Sequence, residues 1–299
     1  MKYQSANAFR RALEDRLRDR SIQSGVPLMR LRKMVVFDRF LARLLEYQPD
    51  QWVLKGGYAL QLRLGERART TKDMDLHMVS NMEEIHQVLR RAGGIDLGDW
   101  FTFEIPEPEQ EIIDDFGGMR YQIQSLLDRR RFENFHIDVG VGDILIEPVD
   151  YLTTPNLLVF ADINPTRVPC YSVTQQIGEK LHAYTRPRPS GESSRVKDFI
   201  DIMIFAELGE ISGQGLIQTI EGTFLSAGTH PVPDNVPPPP RKWTRTFRRL
   251  ANEINYRDIS LGQAYQAIKD FLDPVLRGEV IGKVWDPSQW TWEYQIEGI

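Results

Sequence analysis

Val53-Leu54-Lys55-Gly56-Gly57-Tyr58-Ala59-Leu60, followed after a short gap by Arg69-Thr70-Thr71-Lys72-Asp73-Met74-Asp75-Leu76, decides the fold class. An apolar run ending in Gly-Gly, a helix-compatible stretch and Asp-x-Asp among apolar residues predict a strand, a tight turn, a helix and a second strand. That order sets the turn and both carboxylates at one end of a small sheet. Side chains alternate along a strand, so Asp73 and Asp75 share a face. Two carboxylates so close repel unless a cation lies between them, and a hard divalent ion, Mg²⁺ or Mn²⁺, is the usual occupant.

The Gly-Gly turn supplies the complementary half. Without Cβ atoms, Gly56 and Gly57 let backbone N–H groups approach a triphosphate, and a helix starting near Tyr58 aims its positive end at the same anion. Each half alone has a bland reading, an ordinary turn and a solvated strand end. In this order they point together to nucleotide chemistry.

Four ordered motifs extend the pattern: Lys55-Gly56-Gly57 with Arg69 to Asp75, then Phe135-His136-Ile137-Asp138-Val139, Gln176-Ile177-Gly178-Glu179-Lys180-Leu181-His182-Ala183, and Arg195-Val196-Lys197-Asp198-Phe199-Ile200-Asp201. With these motifs the chain resembles the AbiEii/AbiGii-type nucleotidyltransferase toxins of type IV toxin–antitoxin and abortive-infection systems. The resemblance implies an NTP substrate and transfer of its NMP to the 3′ end of an RNA, a tRNA acceptor, which blocks translation. It also implies a cognate antitoxin. It makes Asp73 and Asp75 the metal ligands and Asp138 the third strand acid, a ligand or a base for the attacking hydroxyl. Lys55, Gly56, Gly57, Thr71 and Lys72 become nucleotide contacts, Lys180 a phosphate contact, and Asp198 part of the distal catalytic motif. Tyr58 departs from the pattern, because relatives often place a small or hydroxyl residue there to touch phosphates. Thr70 and Thr71 precede the carboxylates, where phosphorylation would add negative charge and stop activity.

Composition is that of a globular enzyme: 299 residues, 41% hydrophobic and 26% charged. No apolar run nears the ~20 residues needed to cross a bilayer, so no membrane association and a cytoplasmic location are expected. Cys170 is the single cysteine, which excludes an intramolecular disulfide and a cysteine zinc cluster. His77, His86, His136, His182 and His230 have no metal-ligand spacing.

Charge is uneven along the chain. Residues 1–72 hold 16 Lys/Arg against 7 Asp/Glu, whereas residues 73–150 hold 6 against 18. A polyanion could bind the first segment despite the acidic whole. The same arginines could equally pair with Glu14, Asp15 and Asp19 on solvated helices.

The expected architecture is α+β, a bilobed nucleotidyltransferase-like fold. A small mixed sheet with helices, residues 1–164, precedes a mostly helical lobe, residues 165–299. Two helices run to about Glu46, with another near Met82–Arg91. Strands are expected near Trp100–Ile105, Met119–Leu126 and Asn134–Val139, the last beside the Asp73/Asp75 strand. Helices follow at Val173–Tyr184 and Ser194–Leu208, separated by a loop at residues 186–191. On them, one of Asp198 and Asp201 would hold Lys180 and the other would orient Arg195 or Lys197. His230 to Pro240 is extended, polyproline-like chain. It leads to Arg241-Lys242-Trp243-Thr244-Arg245-Thr246-Phe247, where cations and aromatics interleave. That mixture suits RNA, with phosphates on Arg241, Lys242 and Arg245 and bases stacked on Trp243 or Phe247. The alternative is an amphipathic helix that buries Trp243, Phe247 and Leu250. Trp285, Trp290, Trp292 and Tyr294 are expected to pack the C-terminal segment. Two other functional classes remain open: attachment of a nucleotide to a protein hydroxyl, and a noncatalytic nucleotide- or RNA-binding module.

Overall fold

The computed structural model describes residues 2–65, 68–79, 84–107, 110–111, 118–140, 144–188, 193–254, 256 and 258–294. The chain divides into two compact units. One comprises Met1–Asp143 and Val149–Tyr171, the other Ile144–Pro148 and Ser172–Ile299. The fold is α+β, as the sequence predicts.

In the first unit, helices α1 (Ala6–Ser24) and α2 (Leu28–Tyr47) precede β1 (Trp52–Lys55), α3 (Gly56–Leu64) and β2 (Asp73–Met78). There follow α4 (Ile85–Gly93), β3 (Phe101–Glu104), β4 (Gln110–Glu111), β5 (Gly118–Leu127), β6 (Arg130–Gly140), β7 (Asp150–Thr153) and β8 (Arg167–Cys170). The mixed sheet has the order β3-β5-β6-β2-β1-β8-β7, with β4 also on β5. Strand β2 pairs antiparallel with β1 and parallel with β6, and β5 and β6 form an antiparallel hairpin. The expected neighbours, an Asp138 strand beside the Asp73/Asp75 strand, are therefore present.

Alternation explains the two faces of this sheet. Phe135, Ile137 and Val139 of β6 are buried with Met74 and Leu76 of β2, while His136, Asp138, Asp73 and Asp75 lie on the opposite, partly exposed face. Helix α2 covers the apolar face, and Phe37 and Phe40 meet Phe135 edge-on at 5.1 and 5.9 Å between ring centroids. Most of the N-terminal cations serve this packing. Arg10 donates to the carbonyls of Leu127, Arg130 and Arg131, Arg30 to that of Gly65, and Lys33 to that of Asn134. Arg32 pairs with Glu14, Arg16 lies over the Phe160 ring, and buried Arg43 grips Asp99 through two hydrogen bonds of 2.5 and 2.9 Å. Local pairing thus accounts for much of the basic segment.

The second unit contains α5 (Val173–Thr185), α6 (Val196–Ala206), β9 (Ile211–Ser212) and α7 (Gly213–Ala227). It continues with α8 (Thr244–Glu253), α9 (Leu261–Leu276), β10 (Lys283–Asp286) and β11 (Thr291–Tyr294). Ser172, Ser212 and Ser260 cap α5, α7 and α9, each accepting a backbone N–H three residues on. The expectation of a mostly helical region holds, with the addition of a three-stranded antiparallel sheet in the order β11-β10-β9. The proline-rich run is pinned at its centre: Val236 donates its N–H to Asp273 Oδ1 and the Pro237 carbonyl accepts from the Tyr184 hydroxyl. Trp285 is buried against Phe271, and Trp290 and Trp292 donate to the carbonyls of Ala267 and Phe271. Tyr294 differs from the expectation and is exposed, because β11 is an edge strand. Part of the 186–191 loop and Met82 lie outside the described residues. Among the described residues no helix is long and apolar enough to cross a membrane.

Candidate active site

The antiparallel register pairs Lys55 with Asp75, and the parallel register pairs Asp75 with Asp138 and Asp73 with His136. Three carboxylates on two adjacent strands therefore share one face at the point where β1 gives way to α3. Gly56 makes that turn with φ +65, the left-handed region that glycine enters without penalty. A Cβ there would stand 2.0 Å from Asp75 Oδ2. The backbone thus passes against the carboxylate as no other residue type would allow, and Gly57 donates its N–H to the same oxygen at 3.3 Å. Helix α3 starts at this point, so its positive end faces the acids.

Thr71 buttresses the turn from below. Its hydroxyl donates to the Asp73 carbonyl at 3.1 Å, and it lies beside Gly57, almost wholly buried. Lys72 and Thr70 are exposed, and Lys55 lies 5.8 Å from the Tyr171 ring centroid. Tyr58 points away from the acids, into the core. It is fully buried, edge-on to Phe37 at 4.7 Å, and burial pushes its hydroxyl well above the usual phenol range. The reason is helical phase, which points position 58 at the core while the turn keeps positions 56 and 57 at the acids.

Three further groups stand beside the acids: Arg120 and Lys33 from positions that carry no motif, and His136 from within the Asp138 motif. Arg120 of β5 is the cross-strand partner of Asp138, and its Nε and Nη2 donate to the two carboxylate oxygens at 2.7 and 2.6 Å. Nη2 also lies 4.0 Å from Asp73 Oδ2. The bond to Asp138 and the nearby charges of Asp138, Asp73 and Asp75 hold the guanidinium's pKa above its ordinary value. His136 Nδ1 lies 3.4 Å from Asp73 Oδ1. Lys33, whose pKa burial lowers, is close enough to feel Asp73 and Lys72.

The donor set fits a hard divalent ion of Mg²⁺ type. Among the described residues no group of three His, Cys, Asp or Glu side chains forms a metal cage. Asp73 and Asp75 are two carboxylates of one strand face beside the Gly56-Gly57 turn. Mg²⁺ is usually held in that way, through one or two carboxylates and substrate phosphates.

The distal motif lies in the second unit. Lys180 on α5 is buried and donates to Asp201 Oδ2 at 2.7 Å and Asp198 Oδ1 at 3.1 Å. Asp198 also stands 4.0 Å from Arg195. Both acids of α6 thus hold the lysine, one turn apart on the same helix face. From Trp243 into α8 the sequence's alternative prevails. Trp243 and Phe247 are buried, the former against Tyr184 and Phe199 with its Nε1 donating to the Ser193 carbonyl. Neither ring is available to stack on a base, whereas Arg241, Lys242 and Arg245 are exposed.

Residues 39–288 match the family described as the nucleotidyl transferase AbiEii toxin of type IV toxin–antitoxin systems. The nucleotidyltransferase toxin MenT4 from Mycobacterium tuberculosis is similar in structure at 17% identity, with 81% of this chain and 90% of that one covered and a TM-score of 0.49. JHP933 from Helicobacter pylori is 12% identical over 83% of this chain and 93% of its own, with a TM-score of 0.42. An antigenic nucleotidyltransferase-like protein from Paracoccidioides brasiliensis is 15% identical over 74% and 92%, also at 0.42. Among curated proteins no sequence match reaches significance. Because the family match spans most of the sequence and contains the turn, the strand acids and the distal motif, the chain belongs to the AbiEii nucleotidyltransferase toxins and is a nucleotidyltransferase.

Proposed function

We propose that this nucleotidyltransferase transfers NMP from an NTP to the 3′ hydroxyl of an RNA, a tRNA acceptor end, with Mg²⁺ or Mn²⁺ held by Asp73 and Asp75. The observation that carries the proposal is the Gly56 turn, packed so tightly on Asp75 that phosphate cradle and metal carboxylate form one unit. A bound divalent ion would neutralise the triphosphate oxygens on which charge builds during transfer.

The chain's own groups then divide the work. The Gly56-Gly57 turn and the start of α3 receive the triphosphate, with the Gly57 N–H holding Asp75 in place, and Lys55 and Lys72 add positive charge beside it. Thr71 keeps the turn and the Asp73 carbonyl in place through its hydroxyl. Asp138 orients the attacking hydroxyl and takes its proton. Lys180 keeps the role the resemblance implies, a charge for the leaving pyrophosphate, with Asp198 and Asp201 setting its orientation. Arg241, Lys242 and Arg245 contact RNA phosphates, a role that no longer includes stacking on Trp243. A neighbouring antitoxin is the expected partner.

Incubation with each α-labelled NTP, Mg²⁺ and total RNA, resolved on a gel, tests the reading. Label at the 3′ end of a tRNA-sized species supports it. Label on protein alone moves the acceptor to a protein hydroxyl, and bound NTP without pyrophosphate release makes the chain a binding module.

A further inference from the structure

The acid cluster already holds one positive charge. Arg120 sits opposite Asp138 in the β5–β6 ladder, engages both of its oxygens, and reaches to 4.0 Å from Asp73 on β2. It therefore spans the carboxylates of two adjacent strands. Nearly half of its side chain, 47%, is exposed, against 20% for Asp138, so the guanidinium has open solvent to swing into while the carboxylate stays with the sheet.

We propose that Arg120 is the resident counter-cation of this cluster, which a divalent ion has to displace, so that Arg120 sets the metal concentration at which the site assembles. This rests on the assignment of Asp73 and Asp75 as metal ligands. Because Arg120 Nη2 lies 4.0 Å from Asp73 Oδ2, a divalent ion held by Asp73 and Asp75 would meet the guanidinium's like charge at close range, a repulsion worth at least about tenfold in affinity near a protein surface. The oxygens of Asp138 that hold Arg120 are the same ones that would receive a hydroxyl proton. While Nε and Nη2 occupy both oxygens of Asp138, that group has no oxygen free of a charged donor to receive a hydroxyl proton. Displacing Arg120 would thus load the metal and release Asp138 in a single event. The site would stay closed without the metal and nucleotide.

Mn²⁺ alone, titrated into the full chain and followed by electron paramagnetic resonance, tests this without an activity readout. Arg120→Gln is expected to bind Mn²⁺ about tenfold more tightly than wild type. Arg120→Lys keeps the charge but loses the two-pronged grip, so it should fall between the two. Asp75→Asn should remove the binding. Thermal midpoints of all variants report any structural role, which would shift stability without shifting Mn²⁺ affinity. Equal or weaker Mn²⁺ binding by Arg120→Gln overturns the proposal. If that happens while Asp75→Asn still abolishes binding, only the role of Arg120 fails. If wild type and Asp75→Asn bind alike, the metal assignment fails with it.

Discussion

Gly56 is the residue on which the candidate site depends, because its backbone packs against Asp75. Alanine there would have to hold φ +65, at roughly 1–2 kcal/mol, with a methyl group inside the Asp75 carboxylate. The expected result for Gly56→Ala is a folded protein, lower in urea stability by that amount or somewhat more. Transfer should fall by about a hundredfold or greater, since displacement of a catalytic group by 1 Å costs that much. Near-normal transfer would show that Asp75 can shift without consequence. Lys180 makes a contrasting case. Lys180→Ala leaves Asp201 charged and buried, and breaking a buried pair from one side costs roughly 3–5 kcal/mol, unlike loss of a surface lysine. Urea titration should show that loss, and transfer by the remaining folded fraction should also drop. A stability unchanged from wild type would mean that Asp201 finds another partner.

At the scale of elements, the strand–turn–helix–strand unit was legible because glycines, period-2 alternation and paired acids all act over a few residues. Asp138 was placed correctly beside Asp73 and Asp75 for the same reason. Arg120 was not found, although it belongs to a strand the sequence predicts. Its place opposite Asp138 depends on the β5–β6 hairpin, whose turn at Asp128-Arg129 has both residues at positive φ without the glycine that marks such turns. A register shift between Ser125 and Leu126 then moves each later pairing by one residue. The small sheet of the second unit was invisible for another reason: β9 has two residues and pairs with a strand some seventy positions away. Helix α8 could be read either way, and burial decided it. Trp243→Ala should therefore lower stability by about 3–5 kcal/mol, as for other buried aromatics. Arg245→Ala should change it by less than about 0.5 kcal/mol and weaken RNA binding. Urea unfolding beside filter binding checks both, and a stable Trp243→Ala that loses RNA would return the ring to the RNA surface.

For the whole molecule, acid sensitivity follows from the second unit. His182 of α5 is buried, its Nε2 2.8 Å from Thr229 Oγ1 and its ring 4.7 Å from that of His230. Burial first, and His230 second, lower its pKa to about 4. The folded chain therefore resists a proton that the unfolded chain accepts. Stability is full above about pH 6.5 and declines as the pH falls toward about 4. Urea midpoints at pH 7 and pH 5 should differ in that sense, and His182→Leu should reduce the difference. The charge asymmetry of the sequence survives in muted form, because many cations of residues 1–72 are spent on carbonyls, carboxylates and rings of their own unit.

In the proposed reaction Gly56, Asp73 and Asp75 act as one nucleotidyl-transfer site. The direct measurement is transfer of an α-labelled NMP by wild type and Asp75→Asn, at equal folded concentration, with Mg²⁺ and total RNA. Asparagine keeps an acceptor for the Gly57 N–H and removes only the charge, so the variant should fold at least as stably and transfer nothing. Equal labelling by the two proteins would contradict the account, because the carboxylate packed against the turn would then have no part in the chemistry.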